Sequence, residues 1–544
     1  MKNFLEELQR DLAGSVTDES SVLKYYANDA GIFSVEPTGV VYPFNTQDII
    51  TTVKFVAERA ASGKQLSITP RGKGTDLGGG AIGSGLILSF PSHMNRMLKL
   101  EKHSVTVQPG INYTTLQRIL QSHGRYLPPY PSSQDVSTIG GAVANNAAGE
   151  KSLKYGSTRN FVRALSIVLS DGSIIETRRL NGRELSRKKG LSTFEGEIYR
   201  KIDALIDQKR EIIRSARPKV TKNTSGYAIW DVKTKDGSFD LGQLIIGSQG
   251  SLGLLSSISL KTEQYNAKTT LVLGYFDSIR NATEAIIKLK RLNPSVMESI
   301  NDDLLKFVSS EYPGIYDNVI SAPFPKIVLI VEFDDFSQIR QVVKARQTLK
   351  IMKSHGSDAK ISTKVREQQA IWRMRRNSAS IIWQAKSKHL AIPIIEDAIV
   401  PLPMIPEFLD CLSKLLHKYN IESGIWGHAG DGHFHLLPLI DVGVQKNREA
   451  ALKLANDFYA LVAKLGGSFA GEHNDGILRT PYLDKLYSPA MINIFREIKT
   501  IFDPHNIFNP GKKVDTTVAQ MHELFVKDYR SANLSHIYDH LPIN

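Results

Sequence analysis

The sequence predicts an α+β fold with helix and strand mixed along both halves. Three observations carry this. Short strand-type runs such as "GLILSF" (85–90) and "SVTVQPG" (104–110) are separated by helical periodicities in the first half. In the second half, the buried-type strands "TTLVLGYF" (269–276) and "KIVLIVEFDD" (326–335) alternate with helix-like stretches at 278–292 and 336–354, the pattern of helices laid on a sheet. The chain has 544 residues, more than one hydrophobic core usually supports, so two or three domains are expected.

The elements follow in order. Residues 46–60 read as a helix with Thr46 as its cap and Ile49, Val53, Val56, Ala57 and Ala60 at helical spacing. "KQLSITP" is a short strand that runs into a glycine-dense turn, and "NYTTLQRILQSHG" (112–124) is a capped helix ending on glycine. "YLPPYPSSQ" is a proline-set loop, and "ALSIVLSDGSIIET" (164–177) a hairpin on an Asp-Gly turn. The charged stretch 178–218 is helix or linker. A second mixed region opens near "VTKNTSGYAIWDV" (220–232), residues 364–388 form a long helix, and the polar tail after Lys513 packs peripherally.

Composition narrows the function. Hydrophobic residues at 41% and charged residues at 23% fit an ordinary globular protein. No run of about 18 apolar residues occurs, so no spanning helix is expected. "MKNFLEELQRDL" lacks the apolar stretch of a signal peptide. One cysteine, Cys411, excludes an internal disulfide and a cysteine-ligated iron–sulfur cluster, and a reducing cytoplasm is the default compartment. The net charge of +13 is read as lysines spread over a solvated surface. The densest basic stretches, "RRLNGRELSRKKG" (178–190) and "WRMRRN" (372–377), lack interleaved aromatics, so no nucleic-acid partner is expected.

Two loops of small residues carry the first chemical signal. In "TPRGKGTDLGGGAIG" (69–83), Gly78, Gly80 and Gly83 match G-x-G-x-x-G, but a strand follows where a dinucleotide fold needs a helix. Gly72, Gly74, Gly78, Gly79 and Gly80 allow positive φ and close approach of backbone to a ligand, successive N–H groups can form an anion nest, and Arg71 adds charge at its mouth. An elaborate β-turn is the plain alternative. The second loop, "TIGGAVANNAAG" (138–149), offers Thr138, Asn145 and Asn146 as hydrogen-bonding groups while Gly140 and Gly141 admit a planar ligand.

Histidines supply the second signal. "GHAGDGHFH" (427–435) places His428 and His435 seven apart, which on an unbroken strand puts them on opposite faces. Gly430-Asp431-Gly432 is suited to the bend that lets them converge. "GEHNDGILR" (471–479) adds Glu472 and His473. Two imidazoles and a carboxylate suit a divalent transition metal with open positions, and the alternative is a turn with satisfied structural hydrogen bonds. "QAIWRMRRNSA" brings three arginines, which read equally as a solvated helix face.

"RGKGT", "TIGGAVANNAAG…KYGS" and "GSQGSLG" (247–253) resemble the FAD-binding domain of the vanillyl-alcohol oxidase superfamily, the PCMH type, with Gln249 and Ser251 where Glu and Thr are usual. "GHAGDGHFH", "GEHNDG" and "FDPHNIFNPGKK" (502–513) resemble the C-terminal FAD-linked oxidase domain of the D-lactate, D-2-hydroxyglutarate and glycolate oxidase flavoprotein branch, an antiparallel sheet covered by helices. The resemblance implies a helical segment over 1–35, a flavin domain over 36–218 completed by 219–265, a substrate domain over 266–513 and a tail over 514–544. It implies FAD held by Arg71, Gly72, Lys73, Gly74, Thr75, Pro131, Thr138, Gly140, Gly141, Asn145, Gly149 and Asn509. Attachment is expected to be non-covalent, because neither glycine loop holds His or Cys. It implies zinc or another divalent metal on His428, His435 and Glu472, with His473 as base. Arg375, after Trp372, is expected to grip a substrate carboxylate, with Arg373 and Arg376 as neighbouring alternatives. Three departures, His433, Leu437 and Asn474, put the substrate's identity in question. The implied reaction is oxidation of a D-2-hydroxy acid, D-lactate-like, to the 2-oxo acid. Electrons would pass to a quinone, cytochrome or electron-transfer protein, and any iron–sulfur centre would sit on another polypeptide. The basic surface suits peripheral contact with the inner face of a membrane. Rival readings are another branch of the superfamily acting on an alcohol, sugar lactone or ether-lipid precursor, a metal-dependent hydrolase, and a basic nucleic-acid binder.

Overall fold

The computed structural model describes residues 3–317, 319–381 and 390–526. Its first layer is a four-stranded sheet in the order Ser15–Thr17, Gly39–Tyr42, Leu86–Ser89, Ile68–Arg71, antiparallel at the first pairing and parallel at the other two. All four residues of Leu86–Ser89 are buried, as expected for a central parallel strand covered on both faces. Helix Thr46–Ala61 lays Ile49, Val53 and Val56 on this sheet. Asn45, rather than Thr46, caps it: the Asn45 side chain accepts from the Asp48 N–H, which leaves Thr46 inside the first turn. The opening 35 residues are more than helical, since Ser15–Thr17 extends the sheet.

A five-stranded antiparallel sheet follows, in the order Met97–Glu101, Ser104–Val107, Leu254–Lys261, Val162–Val168, Ile174–Arg178. Its middle strand arrives from late in the chain, after helices Gly182–Lys189, Phe194–Gln208 and Arg210–Ala216 have packed over the same core.

The second half is built on an eight-stranded antiparallel sheet. Along it lie Asp358–Ser362, Thr270–Phe276, Ile327–Phe333, Val296–Asn301, Ser423–His428, His433–Ile440 and Leu390–Ala391, with Ala398–Ile399 also on His433–Ile440. Helices Ile279–Leu289 and Gln338–Ser354 share one buried apolar cluster with it, and Asp302–Glu311 and Val365–Ile381 share another. The helix expected over 364–388 is described as far as Ile381, and the rest of that span lies outside the described residues, as does the tail beyond Val526.

After this sheet the chain returns to the first half. Helix Pro489–Phe502 buries Met491, Phe495 and Ile498 against the helices over the five-stranded sheet, and Ile507 and Phe508 enter the first sheet's core. Lys513 closes the seam. Fully buried, its Nζ donates to Thr224 O, Asn474 Oδ1 and Asp475 Oδ2.

Asp29 is another buried charge, under the first glycine loop, where its carboxylate accepts from the Gly31 and Ala81 N–H groups. Burial, and then Asp76, push its carboxyl up to about 7. Two outcomes follow. Lys513→Met leaves Asp475 buried without its cation and should destabilise the fold by about 3–5 kcal/mol, read as a lowered melting temperature. Because Asp29 holds its proton in the fold to about pH 7, well above its unfolded value, its ionisation costs stability as pH rises through that window. Asp29→Asn should remove that slope, at most about 1.4 kcal/mol per pH unit, from denaturation midpoints measured between the two values.

Candidate functional site: one cavity between glycine loops and a histidine hairpin

A single cavity of about 1110 Å³ runs between the two halves, above the size usual for one small-ligand pocket and roomy enough for a dinucleotide with a small acid beside it. Arg71, Gly72, Lys73, Gly74, Thr75, Pro131, Thr138, Gly140, Gly141, Asn145 and Gly149 all line it. Each loop shows why its residues are small. A Cβ on Gly72 would meet Thr138 Oγ1 at 2.3 Å, so the two loops touch only because Gly72 has no side chain. A Cβ on Gly140 would strike Pro109 at 2.6 Å, whereas one on Gly141 would meet nothing nearer than Thr138 Oγ1 at 3.3 Å. Gly141 thus faces open space and Gly140 serves packing.

Several expectations are corrected here. Of the six glycines in the first loop, only Gly74 and Gly79 take positive φ, at 69° and 82°. Gly78 and Gly79 do not line the cavity; they pack against Asp475, Phe33 and Ile477. Arg71 is not a charge at an open mouth. It is buried, its Nη1 donating to Tyr26 O and Ala81 O, and its Nη2 has no partner among the described residues. That orphaned donor beside a glycine-walled stretch of the cavity fits an anionic ligand group such as a pyrophosphate. Asn509 does not reach the cavity. It accepts from Thr69 Oγ1 and donates to Gly80 O and Gln249 O, tying the loops together from behind. Asn146 also faces away, accepting from Ser157 Oγ and the Arg159 N–H.

The far end of the cavity is lined by Arg375, Glu396, His428, His435, Glu472 and His473. Ser423–His428 and His433–Ile440 form an antiparallel hairpin whose register pairs His428 with His433 and Trp426 with His435. The turn at Ala429–Asp431 and Gly432, with φ 71°, reverses the chain, so the odd spacing puts both histidines on one face. His428 Nε2 and His435 Nε2 are 3.5 Å apart, and each lies 3.3 Å from Glu472 Oε1. These three donors converge on one point. His433 stands behind them: its Nε2 is held by Asp397 at 2.5 Å, while its buried Nδ1 makes no hydrogen bond and lies 3.9 Å from Glu472 Oε2, and all four groups offer a donor atom within 4.8 Å of the others.

The supporting residues escaped the sequence because nothing local marks them. Glu298, on strand Val296–Asn301, holds His428 Nδ1 at 2.5 Å with one oxygen and Arg375 Nε and Nη2 at 2.8 and 2.6 Å with the other. Burial would raise its carboxyl, but His428 and then Arg375 hold it down at about 2. Asp397 also accepts from the N–H groups of Glu472 and His473. Glu396 binds His473 Nδ1 and the buried Arg479. Lys222, from the flavin side, donates to Glu472 Oε2 at 3.2 Å and Ser152 Oγ at 3.1 Å, and lies 3.7 Å from Asp431. Arg376 pairs with Glu150 across the halves at 3.3 Å and lies over Trp372, and Arg373 is exposed.

Charge decides what this cluster can hold. Five buried carboxylates (Glu298, Glu396, Asp397, Asp431 and Glu472) face three buried cations, Lys222, Arg375 and Arg479, a shortfall of two positive charges among the described residues. The histidines respond. Burial lowers His433 to about 4, and lowers His435 too. Burial acts the same way on His428 and His473, but Glu298 and Glu396 outweigh it and raise both to about 9. A divalent cation on the converging donors would supply the same two charges and would push protons off the adjacent imidazoles.

Comparison with known proteins agrees with this architecture. Residues 37–178 match the family model of the FAD binding domain, and residues 265–513 that of the C-terminal domain of FAD linked oxidases. The chain thus carries an FAD binding domain and a C-terminal domain of the FAD linked oxidase type. It is similar to D-2-hydroxyglutarate dehydrogenase of Pantoea ananatis, 28% identical over 531 residues, covering 94% of this chain and 51% of that one. It thus spans about half the length of the D-2-hydroxyglutarate dehydrogenases it matches. It is similar to glycolate oxidase subunit GlcD of Bacillus subtilis, 28% identical and covering 88% of both chains. It is also similar to D-lactate dehydrogenase of Archaeoglobus fulgidus, 26% identical and covering 87% of this chain and 91% of that one. Among solved structures, p-cresol methylhydroxylase with substrate bound shares the fold, with a TM-score of 0.69 at 14% identity and 94% and 96% of the two chains covered.

Gly141→Leu tests the cavity directly. The side chain would project into the space between the loops, asking only Thr138 Oγ1, 3.3 Å from the new Cβ, to give slightly. The variant should fold, yet purify with its flavin-to-protein absorbance ratio reduced about tenfold, the effect of roughly 1.4 kcal/mol of lost binding when flavin is limiting.

Proposed function

We propose that the protein is a FAD-dependent dehydrogenase that oxidises a D-2-hydroxy acid to the 2-oxo acid, assisted by zinc or another divalent transition metal. The observation that carries this reading is the shared cavity: the loops suited to a flavin dinucleotide and the His–Glu–Arg cluster line one space. The names of three relatives, which act on D-2-hydroxyglutarate, glycolate and D-lactate, support the substrate class.

FAD, held without a covalent bond, supplies the two-electron redox chemistry when bound. His428, His435 and Glu472 would hold the ion, whose charge favours the ionised form of the substrate hydroxyl. The chain's own residues do the rest. Arg375, fixed by Glu298 through Nε and Nη2, presents Nη1 to the acid's carboxylate and orients it. His473 is the most open of the cluster, with a side-chain exposure of 26%. Its Nδ1 is anchored on Glu396, leaving Nε2 to take the hydroxyl proton. Lys222 and Asp397 hold Glu472 and the His473 backbone in place. The electrons leave to a quinone, cytochrome or electron-transfer protein. No helix among the described residues is long and apolar enough to cross a membrane. We place the protein in the cytoplasm, its +13 charge suited to peripheral contact with an anionic membrane face.

The deciding experiment is an anaerobic spectral titration of the flavoprotein with paired D- and L-2-hydroxy acids. D-acids should bleach the flavin bands and L-acids should not; a flavoprotein left oxidised by every acid would refute the reading. His473→Ala should keep its flavin and lose reduction rate by about 10²-fold or more. Asp397→Asn should weaken binding of Zn²⁺ to chelator-stripped protein by about 10–100-fold in a calorimetric titration, as loss of a carboxylate behind metal-ligating groups does.

A further inference from the structure

We infer that the acid this site takes carries an apolar or aromatic side chain rather than a second carboxylate, and that Leu437 and Trp426 set the preference. The inference rests on the hydroxy-acid reading above and deepens it. Leu437 follows His435 by two on the same strand, so both side chains point to the same face. Trp426 is the cross-strand partner of His435, the two ring centroids 5.8 Å apart. Both line the cavity, together with Tyr312, Ile315 and Trp372. This wall is the inner surface of one apolar cluster that continues through Ile300 and Leu304. A substrate anchored at Arg375 and His473 therefore meets hydrocarbon and aromatic rings beside the reacting carbon.

The cations nearby are committed elsewhere. Arg375 is held by Glu298 on the side away from the acid, and Arg376 is paired with Glu150 and lies over Trp372. Among the described cavity-lining residues, the exposed Arg373 and, on the first glycine loop, Lys73 have no acidic partner. A carboxylate pressed on Leu437 would lose its water and gain no hydrogen bond, whereas each methylene buried there favours binding by about fourfold.

The test compares kcat/KM, with an artificial acceptor, for glycolate, D-lactate, D-2-hydroxy-4-methylpentanoate, D-phenyllactate and D-2-hydroxyglutarate. The branched and aromatic acids should exceed D-lactate by about tenfold or more, with D-2-hydroxyglutarate no better than D-lactate. Leu437→Ala should shift the optimum toward bulkier side chains. Leu437→Arg, if it folds, should raise D-2-hydroxyglutarate relative to D-phenyllactate by about tenfold or more. A wild-type optimum at D-2-hydroxyglutarate that Arg373→Ala abolishes would overturn the inference while leaving the hydroxy-acid reading intact, as would an optimum at glycolate. Reduction by none of the five acids would defeat the parent reading and the inference with it.

Discussion

Burying more negative than positive charge at the meeting of two domains is the constraint that organises this molecule. Each carboxylate around the histidine hairpin is too deep for solvent to stabilise, so each must be matched by a cation, a proton or several donors. Arg375, Arg479 and Lys222 match part of the set, and His428 and His473 take up protons to supply the rest. A dication on the converging donors would supply the same charge, which is why the proposed metal fits this arrangement. The same deficit therefore explains both the raised imidazoles and the convergence of His428, His435 and Glu472 on one point.

The fold meets this constraint by drawing on distant chain segments. The sheet supplies a rigid hairpin for the histidines and, from the adjacent strand, Glu298. Glu396 and Asp397 enter on the segment before strand Ala398–Ile399, which pairs with the same hairpin. Lys222 comes from the flavin side, and its bonds to Ser152 and Glu472 join the second glycine loop's flank to the histidine cluster. Lys151 adds a parallel tie, bonding Glu332 at 2.9 Å and Asp334 at 3.2 Å. The interface between the halves is thus itself charged and buried, which fixes the cavity's two ends relative to each other.

This division also explains what the sequence made legible. Composition exposed the glycine loops, because close backbone contact excludes side chains whatever the surrounding fold; Gly72 against Thr138 is the example. The hairpin was legible because Gly430-Asp431-Gly432 lies between the two histidines and turns are local. Strand Val296–Asn301 carries no such mark, and Glu298 in it is an ordinary acid until Arg375 and His428 are folded against it. Lys222 and Glu396 carry no local mark either, and Arg479, inside the quoted 471–479 stretch, shows its role only once Glu396 is folded against it. Asn509 shows the converse error. It belongs to a motif that closes over the loops, but its amide is spent on Gly80 O and Gln249 O, so proximity to the site did not mean contact with its contents.

The Arg375–Glu298 pair has a further consequence for how an acid is held. A guanidinium that shares two of its nitrogens with a buried carboxylate brings direction but little net charge. Positive potential at the histidine end would then come from a cation on the converging donors of His428, His435 and Glu472, which would also leave His473 neutral. Because Glu298 also holds His428, a shift of Arg375 toward a bound carboxylate would be felt at a triad member through one side chain. Under the proposed function, orientation and attraction would come from different groups: Arg375, held by Glu298, would aim the acid, while an ion on His428, His435 and Glu472 would supply the charge.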